Sequence, residues 1–164
     1  MTPIKIKNIA KSINFVNSLE LNEKLAELDK IHQSQPHAFL TVLSLSQDGV
    51  SMEKVEHALT VLLVIHKVFS DAAVGLKIPL ISKRMLDDNL ENNIAILQAI
   101  GQGWLTTDES IHSYFEKNIL AYLVGYLKDH DLISPSEEHE RLLINLKTVL
   151  DAYTHARGIA KPNH

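Results

Sequence analysis

The chain has 164 residues, 45% of them hydrophobic and 22% charged, with a net charge of −4 and a pI near 6.1. That is enough chain to bury one core unaided. The absence of cysteine excludes disulfides, thiol nucleophiles and thiolate metal sites. The only basic cluster is Lys5, Lys7 and Lys11, with Lys83-Arg84 further on, and aromatics are 5%; a nucleic-acid partner, which needs a basic stripe and stacking platforms, is not expected.

The N-terminal stretch MTPIKIKNIAKSINF alternates polar and single apolar residues, without the unbroken apolar run of a secretory signal. The longest apolar run, Val61 to Ile65, is stopped by His66-Lys67, far short of a membrane span. These features point to a cytoplasmic chain that avoids the membrane. Residues 8–34 carry two apolar stripes, Ile9, Ile13 and Val16, then Leu21, Leu25, Leu28 and His32. The phase slips between 19 and 22, which gives two helices or one kinked helix. Residues 37–46 alternate as a strand would, but no second strand exists to pair with them, so a short helix is expected.

A long helix follows over about 51–74, apolar nearly all round from Ala58 to Phe69, as a helix enclosed on several sides would be. After a loop at 75–81, Leu86, Leu90, Ile94, Leu97 and Ile100 mark one face of the next helix. Thr106-Thr107-Asp108-Glu109 reads as a capping box for a helix over 107–129. Ser134-Pro135-Ser136-Glu137 reads as another, with Ser134 the cap of the last helix and Pro135 in its first turn. Gly75, Gly101 and Gly158 each follow a periodic segment and suit helix C-termini. The expected fold is all-α: a single domain over 1–164, built as a bundle of six to seven helices around a buried central helix at about 51–74. Residues 1–7 and 159–164 are expected to be loose ends.

Strong catalytic signatures are missing. There is no phosphate-binding loop and no G-x-S-x-G elbow. Gly101-Gln-Gly103 lacks the third glycine of a dinucleotide loop, and His139-Glu140 meets Leu143 where a zinc protease needs its second histidine. Residues 129–140 resemble a calcium loop at Asp129, Asp131, Glu137 and Glu140, but Ser134 replaces the required glycine and Ile133 has no oxygen to offer. A capped, acidic helix start explains the same residues.

Nine histidines supply the remaining candidates. Asp29/His32 and Glu109/His112 have the i, i+3 spacing of di-iron bundles, and Glu53 and Glu56 flank His57 one residue out of step. A metal site would also need inward carboxylates such as Glu116 and Glu91. His66 lies in line with Leu59, Leu62 and Phe69. It suits a bonded core histidine better than a haem ligand or phospho-acceptor. Trp104, the sole tryptophan, sits between glycines as a plug or a partner anchor. Tyr122 and Tyr126 continue a stripe from Phe115 and Ile119, as core or as the wall of a small pocket.

No cofactor is implied. The favoured function is a non-enzymatic protein-interaction or regulatory module, with a protein partner or a second copy in a homodimer. The reason is that helices at 58–69 and 118–127 are both apolar over most of their circumference, and one bundle encloses only one such helix. The alternative is a metal-dependent enzyme, di-iron-like or zinc, built on the acid–histidine pairs.

Overall fold

The computed structural model describes residues 1–73, 75–101 and 103–160, without the Trp104 side chain. Among them are eight α-helices and no strand: α1 Ile6–Ser18, α2 Leu21–Ser34, α3 Pro36–Leu43, α4 Met52–Ala72, α5 Lys83–Ile100, α6 Asp108–Ser113, α7 Lys117–Asp129 and α8 Glu137–Ile159. Short 3-10 turns at Ser44–Ser46 and Trp104–Thr106 extend α3 and lead into α6. The all-α class stands, and 37–46 is helical as expected.

The centre of the molecule is α4. Val61, Leu62, Leu63, Val64 and Ile65 are five consecutive buried residues, more than one full turn, so this part of the helix has no solvent face. It packs against α1, α2, α3, α7 and α8. Val74, at the end of the expected central helix, lies outside the described residues. α8 forms the second spine, with Leu142, Leu146, Val149, Leu150 and Tyr153 all buried. Between α2 and α3, the buried Gln35 accepts from the Ile81 N–H at 2.9 Å and donates to the Pro79 carbonyl at 3.1 Å, fixing the loop after α4.

Two breaks divide the helices, and the second takes the count one beyond the expected seven. The phase slip at 19–21 is a true break, with Glu20 capping α2 reciprocally with Glu23. The expected helix over 107–129 also breaks, at Tyr114 to Glu116. Tyr114 is extended (ψ 139°), and its hydroxyl donates to Asp151 of α8 at 2.5 Å. Glu116 is fully buried and accepts from Arg157 and from the Ile4 N–H, at 2.9 and 3.0 Å. Side-chain bonds to α8 and to the N-terminus thus hold the chain at the break.

The same bonds correct the reading of residues 1–7 as a loose end. Ile4 is buried, and Arg157 also donates to the Thr2 carbonyl at 2.9 Å. At the other terminus α8 continues to Ile159, so Gly158 lies within the helix rather than beyond it; residues 161–164 are outside the described residues.

Three further expectations change. The cap of α8 is Ser136, whose hydroxyl accepts from the His139 N–H at 3.2 Å; Ser134 stands two residues outside the helix. The cap of α6 is Thr107, accepting from the Ser110 N–H, so no Thr106–Glu109 box forms. Of the second stripe only its edge meets the core: Leu21 and Leu25 are 72% and 55% exposed, and α2 packs through Ile31 instead.

Candidate functional site

The first half of α4 and the end of α7 come together around a cleft of about 500 Å³. Four sequence candidates meet there: Glu53 and His57 from α4, and Tyr122 and Tyr126 from α7. Ile13 and Asn17 of α1 and Lys24 of α2 close its other side.

His130, which the sequence reading did not select, completes the group. It follows the last residue of α7, and its Nδ1 lies 2.8 Å from the Tyr126 carbonyl. A carbonyl only accepts, so Nδ1 carries the proton. The four-residue spacing stacks His130 on the Tyr126 ring, with centroids 4.1 Å apart. The Tyr126 hydroxyl is 2.8 Å from His57 Nδ1, and the His57 and His130 rings are 4.6 Å apart.

The electrostatics keep His57 and the two phenols uncharged near neutrality. Burial pushes the His57 imidazole down, and His130 adds to the effect against Glu53 and Glu56. Burial pushes the Tyr122 and Tyr126 phenols up. A phenol that holds its proton beside an imidazole that stays neutral makes a hydrogen-bonding wall.

The other candidates are not brought to this cleft. Asp29 and His32 lie exposed on α2, where the His32 ring stacks on Phe39 at 4.7 Å. Glu109 and His112 lie exposed on α6, with His112 Nδ1 donating to the Asp108 carbonyl at 2.7 Å. Glu91 is exposed on α5, while Glu116 is consumed by Arg157 and Ile4. The acid–histidine pairs therefore occupy three separate helices. Among the described residues no three metal-ligating side chains converge.

In the 129–140 segment, Asp129 ends α7, Asp131 takes a left-handed turn (φ 56°) and Leu132 is buried, with Glu137 and Glu140 already on α8. His66 is half-buried, with Nδ1 2.8 Å from the hydroxyl of the fully buried Tyr153. Trp104 falls in the turn before α6; its side chain is outside the described residues.

A second polar centre escaped the sequence reading. On α8, Lys147 Nζ reaches both oxygens of Asp151 at 2.8 Å and lies 4.7 Å over the Tyr114 ring. The fully buried Asn93 of α5 donates to Thr148 at 3.1 Å and to Asp151 at 2.9 Å, and accepts from Lys147 at 3.3 Å. These partners satisfy one another, as groups removed from water must be.

Asn93 has a consequence for the surface. With Asn93 turned onto α8, the apolar stripe of α5 is rotated partly away from the core. Leu90 and Ile94 remain 38% and 39% exposed and Ile100 69%, against the expectation of one buried face. Leu90 and Ile94, with Leu40 of α3, line a groove of about 600 Å³ floored by Leu45, Leu86 and Ile144. From Lys83 to Leu97 this side of the molecule runs about 21 Å at helical rise.

The helix expected to supply surplus apolar surface, α7, does not supply it. Ile119, Leu120, Leu123, Val124 and Leu127 are all buried within the chain. Its apparent all-round apolarity came from Ala121, Gly125 and the two tyrosines, which lie on its outer or cleft side.

No family model, curated protein or solved structure matches the chain. Among the described residues no helix is long and apolar enough to cross a membrane.

Proposed function

We propose that this chain is a non-enzymatic interaction module that acts in the cytoplasm by associating through the groove between α3, α5 and α8. A second copy of the chain is the partner that the groove suits. The observation that carries this reading is the exposed apolar stripe on α5. Leu90 and Ile94 are partly exposed although the same helix buries a polar residue, Asn93. A row of exposed Leu and Ile beside a concave apolar floor is the arrangement by which helices dock into grooves. Because the knobs and the groove belong to one surface, a twofold pairing places each copy's α5 against the other's groove. The polar centres support the non-enzymatic part: His57, Tyr126, Lys147 and Asp151 are bonded to neighbours within the fold.

The test is sedimentation velocity of the native chain and of the double variant Leu90→Glu, Ile94→Glu. The native chain is expected to be dimeric at micromolar concentration. The variant is expected to be monomeric, with helicity and melting temperature retained because both sites are already partly exposed. A native chain that stays monomeric up to the highest soluble concentration would remove the second copy as partner.

A further inference from the structure

We propose that the cleft between α4 and α7, closed by α1 and α2, binds a small organic ammonium ion with an aromatic or apolar tail. Its volume of about 500 Å³ lies within the range of small-ligand sites. Glu53 and Glu56 stand three residues apart on one face of α4 and both line it. Both act on the His57 imidazole between the two walls. Neither carboxylate makes a hydrogen bond or ion pair with any described residue. Acids on other parts of the surface are compensated: Glu138 pairs with Lys54, Glu137 with Arg141 and Asp71 with Lys67. Lys24, across the cleft on α2, likewise has no ion pair among the described residues.

These groups define the ligand. At about pH 8 an imidazole is ordinarily neutral, so the charges facing the cleft are two carboxylates and one ammonium. A ligand that fills the cleft takes water from the carboxylates, which is costly unless it returns positive charge and N–H donors. One positive charge balances the walls. An anionic ligand adds to the excess, and an uncharged one leaves it standing. A metal ion matches less well, because among the described residues no three metal-ligating side chains converge.

The tyrosines fit the same ligand. Tyr126 is committed, with its hydroxyl on His57 and His130 stacked on its ring. The Tyr122 hydroxyl has no hydrogen-bond partner among the described residues, so it is open to an ammonium N–H, and a tyrosine ring attracts cations to its face. Tyr122 and Ile13 also pack against the core, which gives the tail a fixed apolar surface. None of these residues lines the groove between α3, α5 and α8, so this site and the association surface fail separately.

The experiment is calorimetric titration of the purified full-length chain, at that pH, with phenethylammonium, phenethyl alcohol and phenylpropanoate. Saturable binding of one phenethylammonium per chain is expected, with the alcohol and the acid weaker. Glu53→Gln with Glu56→Gln is expected to weaken phenethylammonium about tenfold. Both side chains belong to exposed residues, so the fold is retained. Lys24→Gln is expected to tighten binding by removing the one opposing charge. Glu91→Gln, an exposed carboxylate on α5, is expected to leave the affinity unchanged, as is Leu90→Glu with Ile94→Glu. No saturable binding, alcohol bound as tightly as ammonium, or an affinity indifferent to the Glu53 and Glu56 pair would each overturn the proposal. So would equal weakening by Glu91→Gln, since the cation would then be drawn only by the net negative charge of the chain.

Discussion

His66 shows how a residue's role follows from what it touches. Its place in a line with Leu59, Leu62 and Phe69 made a bonded core histidine the expected state, and the Tyr153 hydroxyl is its partner. Burial holds the His66 imidazole below its ordinary value of 6.5, against the attraction of Glu27, and His57 is likewise depressed. The folded protein thus binds fewer protons at these two sites than the unfolded chain does. Their contribution to stability is complete above about 6.5 and is lost as pH falls below it. The melting temperature is expected to drop between pH 7 and pH 5.5, with a shallower slope in His66→Gln. Equal slopes for the two proteins would show that His66 is not coupled to folding. Lys147 and Asp151 were not legible in the same way. Their four-residue spacing is that of a solvated ion pair, and only the arrival of Asn93 and Tyr114 from other elements makes them a buried centre.

At the scale of the elements, hydrophobic period located the helices, and side-chain hydrogen bonds decided where they begin, end and turn. The long apolar runs of α4 and α8 fixed those helices because a core stripe is a property of the local sequence. The break at Tyr114 to Glu116 was hidden because its causes, Asp151, Arg157 and Ile4, are distant in the chain. The start of α8 was displaced for a smaller reason: two serines two residues apart can each cap, and Pro135 suits the position after the first. The Ser136 hydroxyl accepts from the His139 N–H, while Ser134 bonds to Ser136 and to the His139 ring on the exposed surface. Ser136→Ala is therefore expected to cost about 1 kcal/mol of stability, as cap removal does. Ser134→Ala is expected to cost clearly less in the same denaturant titration. The reverse order would return the cap to Ser134.

For the whole molecule, the bundle and its central helix were readable, but the exposed apolar stripe was expected on a different helix. Counting apolar residues around α7 suggested an uncovered face, whereas the apolar side of α7 is covered and that of α5 is only partly so. The difference lies in rotation about the helix axis: Asn93 turns inward to meet Thr148 and Asp151, and Leu90 and Ile94 turn out. No one-dimensional pattern of α5 contains that rotation, because its cause sits on α8. A second bare apolar patch, Leu21 and Leu25 on α2, offers a rival surface for association. Hydrogen exchange measured on dilute and on concentrated protein distinguishes them directly. Concentration is expected to slow exchange in peptides covering 83–97 and 137–148 while 21–28 stays unchanged. Slowing confined to 21–28, or no change in 83–97 while the protein self-associates, would contradict the claim that α5 and its groove are the association surface.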